Sequence, residues 1–420
     1  INHHLLESEG PSPPDRRVTA AMKTPAPALP ETDCLMVAAA TPLTQDLRPD
    51  IGLLGAHVAM LLAAGCDGVA LFGTTGEGAE FAVEDRMRGL DGLLATGMAP
   101  GKIVVSVGAL AIPDIARLAQ HALDRNVDSL LLMPPCVYRG GITEEGTFRF
   151  YATVIDRIAR ADLRLCLYHF PDICGVPLTA RVIRRLDEAY PGIITGVKDS
   201  GGDLDFTEAL IRRFSHLSIY TGTEIHLPQA LAAGARGTIC GLGNAMPRLM
   251  RAMFDAPTAF DRRNLLPALI SGDFILSRKP FVASVKAVLA EMNAEPGWNR
   301  VLPPMSDVAR PERDWMLRDF RRWEAGLGPA WRSFTGREAK ATRLLQRAQR
   351  GHARTVAAHV DGGLVLVRAI EPGRHDRHLE AALETLVEDG ADDDVGILVD
   401  LLADTGGRLI DLEQRHVAAA

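Results

Sequence analysis

The chain has 420 residues, a formal net charge of −7 and a pI near 6.0, a balance that argues against a surface built for nucleic acid. Hydrophobic residues make up 47 % and charged residues 24 %, the mix of a soluble globular protein with room for one domain of about 250–300 residues and an appendage. No run approaches the roughly 18 apolar residues of a membrane-spanning helix. The cysteines (Cys34, Cys66, Cys136, Cys166, Cys174, Cys240) form no C-x-x-C pair and no zinc-type spacing, as expected of reduced thiols in a cytoplasmic protein.

Residues 1–31 are Pro-rich and lack the apolar core of a signal peptide, so they read as a disordered leader with Met22 as a candidate start. From there the chain alternates apolar runs with helical patterns. Strands are expected at 35–43, 68–73, 102–109, 129–135, 164–170, 193–199, 217–222 and 237–241. Between the first two, the helical segment "DIGLLGAHVAMLLAAG" carries Asp50 as candidate N-cap and Gly65 as its stop. Further on, "TARVIRRLDEAYPG" starts on Thr179 and stops at Pro191. Continuous apolar strands separated by one helix each imply a parallel sheet covered by helices. Eight such units fit a (β/α)8 TIM barrel over residues 32–256, and no G-x-G-x-x-G follows the first strand to favour a dinucleotide fold.

A barrel places its chemistry at the carboxyl ends of its strands, and polar residues collect there: Thr41, Thr74, Thr75, Tyr168 and Lys198. An amine that attacks a carbonyl must be neutral, and burial of a lysine supplies that form. Lys198, after the apolar "GIITGV", suits the role. The competing reading is a strand-end charge paired with Asp199 or Asp203, which is the commoner fate of such a lysine. Tyr168 is a candidate proton shuttle, or else a core tyrosine capping a backbone group. "GTTGEG" from Gly73 to Gly78 exposes backbone N–H groups and hydroxyls and resembles an anion cradle, although an ordinary βα loop has a similar composition.

As a set, "ATPL" (40–43), "GTTGE" (73–77), "YHFP" (168–171), "GVKDSGGD" (196–203) and "GTICGLGN" (237–244) resemble the pyruvate-dependent class I aldolase family of dihydrodipicolinate synthase and N-acetylneuraminate lyase. The resemblance spans about residues 35–305. It implies a (β/α)8 barrel with a C-terminal helical region, here 257–325, and a homo-oligomer, tetramer or dimer. It also implies Lys198 as Schiff-base lysine, Tyr168 as proton shuttle, and Thr74 and Thr75, with Gly73 and Gly241, as substrate-binding residues. No cofactor and no metal are expected, and the partner is a small 2-oxo acid, pyruvate or a sugar acid. Two departures stand out. The synthase's arginine, five residues after the tyrosine, is Ile173 here, and of the tyrosine pair after the fourth strand only Tyr138 remains, as a displaced candidate relay.

The expected function is therefore a Schiff-base-forming lyase or dehydratase acting on a 2-oxo acid. Within the family the alternative is dihydrodipicolinate synthase proper. From another class, the alternative is a keto-acid-binding sensor or scaffold barrel without turnover. A phosphate-binding barrel is disfavoured because "YTGTEIHLP" after the seventh strand holds no second Gly-rich turn, and Glu224 with His226 reads as ordinary side chains rather than a metal pair. Residues 326–420 exceed what the family needs. A basic helical pattern at 337–359 and an acidic amphipathic one at 378–404 are expected to make a mostly helical extension, with "GGLVLVRAI" as a candidate strand.

Overall fold

The strands β1 (Cys34–Ala38), β2 (Gly68–Leu71), β3 (Ile103–Ser106), β4 (Ser129–Leu132) and β8 (Gly237–Cys240) are buried at every residue. Their apolar runs therefore do not alternate: one face lines the barrel interior and the other meets helices. With β5 (Arg164–His169), β6 (Ile194–Asp199) and β7 (Ser218–Thr221), they form a closed parallel barrel in sequence order. This is the (β/α)8 architecture expected. The computed structural model describes residues 34–278, 280–328, 356–360 and 363–367. The first strand is shorter than its apolar run, and residues 39–43 leave the sheet as a loop at the mouth of the barrel.

The covering helices are α1 (Ile51–Ala63), α2 (Val83–Leu94), α3 (Ile112–Leu123), α4 (Glu144–Ile158), the single turn α5 (Pro171–Cys174), α6 (Ala180–Ala189), α7 (Leu204–Arg213), α8 (Leu227–Ala233) and α9 (Pro247–Asp255). Their starts are chemically marked. Asp50, Thr179 and Asp203 accept from the backbone N–H three residues on, at 3.0, 3.3 and 3.2 Å, which satisfies one orphan donor of each helix. Gly65, just past α1, takes φ +90° and turns the chain towards β2. Three more helices follow: α10 (Ala259–Leu276), α11 (Phe281–Asn293) and α12 (Arg310–Gly326). Trp323 of α12 donates through Nε1 to the Ala268 carbonyl of α10 at 2.9 Å, pinning that pair. No described helix is long and apolar enough to cross a membrane.

Two layers of core result. Met36, Ala70, Val104, Leu131, Cys166, Tyr168, Tyr220 and Ile239 fill the barrel, while a larger cluster lies between strands and helices. The six cysteines are free thiols; Cys136 alone is half-exposed, and the others pack as small apolar groups.

The segment read as helical over 337–359 ends differently. Val356–Val360 is a strand, β9, paired antiparallel with β10 (Gly363–Val367). Val356, Val360, Val365 and Val367 favour extended backbone, and with antiparallel pairing that preference outweighs the helical periodicity. The leader expected over 1–31 and the remaining helical expectation over 326–420 lie outside the described residues, apart from Gly326, which ends α12, and residues 327–328.

Barrel closure depends on β8 lying close to β1, with Gly237 opposite Cys34. A Cβ on Gly237 would overlap the Cys34 carbonyl oxygen. Gly237→Ala is expected to cost about 3 kcal/mol or more in chemical denaturation; an unchanged midpoint would mean that the two strands can part without penalty.

Candidate active site

In β5 and β6, side chains alternate between the barrel interior and the helical shell. Tyr168 and Lys198 are paired in register and both point inwards; His169 and Asp199, one residue on, point outwards. Lys198 is 5 % exposed and Tyr168 3 %. The Lys198 Nζ lies over the Tyr168 ring, 4.2 Å from its centroid, a cation–π arrangement when the amine is charged. A Cβ on Gly222, after β7, would come within 3.1 Å of the Lys198 Cε, so glycine there leaves the lysine its space.

The salt-bridge explanation of Lys198 fails on geometry. Asp199 Oδ1 accepts from the Gly201 N–H at 2.9 Å and its Oδ2 from the Thr207 hydroxyl at 2.6 Å. Asp203 caps α7. Lys198 has no ion-pair partner among the described residues, and its neighbour Cys166 is a thiol whose pKa burial pushes up to about 12. His169 is occupied too: its Nδ1 accepts from the Leu178 N–H at 3.0 Å and its ring packs 4.9 Å from Phe206. Burial lowers the pKa of His169, and Asp199 opposes that shift.

The loop after β2 supplies donors. The Gly76 and Gly78 N–H groups both bond the Gly73 carbonyl at 3.1 Å, and the Glu77 N–H bonds the Thr74 carbonyl at 3.1 Å. The Thr41 hydroxyl holds the Gly76 carbonyl at 2.8 Å. The N–H groups of Thr74 and Thr75 have no acceptor among the described residues. Such a turn resembles a nest whose unpaired amides, those of Thr74 and Thr75 among them, are available to an anion. Gly73 has open space where a side chain would be.

Gly241 abuts this turn, since a Cβ there would stand 3.3 Å from the Thr75 hydroxyl and 2.8 Å from the Phe281 ring. Its own N–H is spent. With the Leu242 N–H it donates to Glu224 Oε1, at 2.7 and 2.9 Å. Gly241 thus contributes clearance rather than a donor, and Glu224, whose pKa burial raises, is the acceptor that shapes the loop. Asn244 closes the same loop. Its Nδ2 donates to the carbonyls of Ala38 and Gly241, both at 2.8 Å, and its Oδ1 accepts from the Ala40 N–H at 2.9 Å and His57 Nε2 at 2.8 Å.

Tyr138 stands apart. It is 73 % exposed, whereas Tyr168 and Lys198 are buried. Beside it, the Arg139 stem runs where a Cβ on Gly175 would sit, and its Nη2 donates to the Ile173 carbonyl.

A closed (β/α)8 barrel with a buried lysine–tyrosine pair and an amide nest at its mouth has the architecture of a carbonyl-chemistry lyase. The chain belongs to the dihydrodipicolinate synthetase family, which matches residues 31–320. Members of the family are lyases, and Schiff-base chemistry on pyruvate is characteristic of it. An uncharacterized DapA-like lyase of Chloroflexus aurantiacus is 36 % identical over 217 residues, 51 % of this chain and 72 % of that protein. The crystal structure of dihydrodipicolinate synthase from Agrobacterium tumefaciens str. C58 is 31 % identical, covers 69 % of this chain and 99 % of its own, and superposes with a TM-score of 0.64. The fold is also shared, at 21 % identity and a TM-score of 0.63, with a prophage protein of E. coli K12 from the dihydrodipicolinic acid synthase family, solved in complex with pyruvate; the match covers 70 % of this chain and 98 % of that one.

Sequence reasoning missed the groups that hold the loops: Glu224, Asn244 and His57, and a buried pair between Glu77 and Lys286. One signal was legible. Lys286 is the only charge in "FVASVKAVLA", where periodicity leaves no exposed face for it.

His57 yields a pH dependence. Burial lowers its pKa from 6.5 to about 4, the Asn244 hydrogen bond opposing. The folded state therefore disfavours the charged ring, so this stability is complete above pH 6.5 and drains away as pH falls towards 4. Between pH 7 and pH 5 the loss is expected to be about 2 kcal/mol, and His57→Gln should lack that component in urea titrations. Identical pH slopes in both proteins would contradict the assignment.

Proposed function

We propose that this protein forms a Schiff base between Lys198 and the carbonyl carbon of a pyruvate-type 2-oxo acid, and uses it for aldol cleavage or condensation, or for dehydration of a 2-keto-3-deoxy sugar acid. The observation that carries the reading is the buried, unpaired Lys198 amine stacked on Tyr168, at the barrel end that also holds the free Thr74 and Thr75 amides. The substrate carboxylate accepts from those two N–H groups, with Gly73 and Gly241 leaving room for it. The neutral amine adds to C2, and the carbinolamine loses water to give the iminium. The iminium takes the electron pair of the breaking C3–C4 bond as an enamine; in a dehydration it instead loses a C3 proton to give the enamine, which re-forms a conjugated iminium as the protonated C4 hydroxyl leaves as water. Tyr168 carries the proton between the departing oxygen and the reacting groups.

The acceptor end differs from that of a dihydrodipicolinate synthase, because Ile173 cannot clamp a carboxylate. Arg139, whose guanidinium donates to the Ile173 carbonyl, lies at that position, and we assign it the polar tail of the acceptor. Tyr138, with the exposed Leu110 and Val137 on neighbouring strand-end loops, supports a homo-oligomer in which this tyrosine faces a second copy rather than its own barrel.

Borohydride reduction in the presence of pyruvate should leave a covalent adduct that peptide mapping puts on Lys198, and Lys198→Ala should leave none. An unmodified wild type would end the Schiff-base reading. Tyr168→Phe is expected to slow turnover about 10²–10⁴-fold while still trapping pyruvate. Arg139→Ala should raise KM for an acidic acceptor about tenfold and leave pyruvate trapping unchanged; equal KM values would remove Arg139 from the site.

A further inference from the structure

The donor turn holds two non-glycine residues in the left-handed region, Phe72 at φ 56° and Glu77 at φ 55°. Residues of this kind are strained and persist only where their surroundings over-determine them. For Glu77 the surroundings are specific. Its side chain is fully buried, its Oε1 meets the equally buried Lys286 Nζ at 2.5 Å, and its Oε2 accepts from the Leu302 N–H at 2.6 Å. Both partners belong to the segment after the barrel: Lys286 to α11, Leu302 to the loop before α12.

Three features make this more than a packing detail. Every residue of α11 from Val282 to Ala290 is buried, so the lysine occupies a position where an apolar side chain would be the cheaper solution. The Glu77 N–H bonds the carbonyl of Thr74, so the pair acts on the donor turn itself, one hydrogen bond from the amides assigned to the substrate. Phe281 of the same helix abuts Gly241 beside the Thr75 hydroxyl, so α11 meets the site at a second point.

We propose that the Glu77–Lys286 pair is a positioning device through which α11 and the Leu302 loop hold the Thr74 and Thr75 amides in register for the substrate carboxylate. The proposal rests on the reading of that turn as the carboxylate site. Glu77 and Lys286 touch no reacting atom. They set how tightly the 2-oxo acid is held, and leave the chemistry at Lys198 alone.

The test uses full-length protein in three variants: Lys286→Met, Glu77→Gln/Lys286→Met, and Val288→Ala as a cavity in the same helix. For each, the pyruvate concentration that half-saturates borohydride trapping and the trapping rate at saturation are measured beside the melting temperature. Hydrogen exchange is followed in the peptide spanning residues 72–79. Lys286→Met is expected to need about tenfold more pyruvate, with a saturating rate within about threefold of wild type and lost protection over 72–79. The double variant, which buries no lone charge, should melt closer to wild type and still need the higher pyruvate concentration. It keeps the test valid if the single variant does not fold. Val288→Ala should lower the melting temperature without moving the pyruvate requirement.

Wild-type pyruvate dependence in either pair variant, or an equal rise in Val288→Ala, overturns the positioning role. A wild type that traps no pyruvate overturns the Schiff-base reading, and this inference with it.

Discussion

The two-residue period of β6 decides what this barrel can do. Because Lys198 points inwards, Asp199 points outwards, and the carboxylate nearest in sequence is removed from the amine. The parallel register then puts the Tyr168 ring, rather than a counter-ion, against the Lys198 Nζ. The barrel interior beside this pair is filled by Met36, Val104, Leu131, Cys166 and Ile239. A one-residue slip in β6 would exchange Lys198 with Asp199 and place a carboxylate inside.

The rest of the mouth is built by groups that position backbone. Glu224 gathers the Gly241 and Leu242 amides, Asn244 ties that loop to β1, Thr41 holds the carbonyl of Gly76, and Arg86 of α2 bonds the carbonyls of Ser106 and Gly108 at the end of β3. Each is a polar side chain taken out of water, and each is matched to backbone groups that a loop at a barrel mouth would otherwise leave bare. In the rim so built, the Thr74 and Thr75 amides remain unspent. That division between amides consumed by structure and amides left over is what separates Gly241 from Thr74 and Thr75.

Much of this was legible in the sequence, for identifiable reasons. Strands buried on both faces write themselves as apolar runs, so all eight could be read, and Asp50, Gly65 and Thr179 carry local cap chemistry that needs no tertiary context. Lys198 and Tyr168 stand out as candidates because a charged and a phenolic group at the ends of apolar strands are conspicuous. The Glu77–Lys286 pairing was not legible, because its members lie 209 positions apart: Lys286 stands out as the lone charge of an apolar helix, but nothing local names Glu77 as its partner. The engagement of the Gly241 N–H was not legible either, because it depends on Glu224 from the turn after β7. The strand at Val356–Val360 hid in a helical pattern because alanines fit both periods, and only pairing with Gly363–Val367 separates them.

The central claim is that one site joins the Lys198 amine to the Thr74–Thr75 amides across the barrel mouth. A crystal structure of the protein reduced in the presence of pyruvate tests it directly. The account predicts continuous density from the Lys198 Nζ to the pyruvate C2, with the carboxylate accepting from both threonine N–H groups within ordinary hydrogen-bond distance. An unmodified Lys198, or an adduct whose carboxylate turns away from that loop, would contradict it.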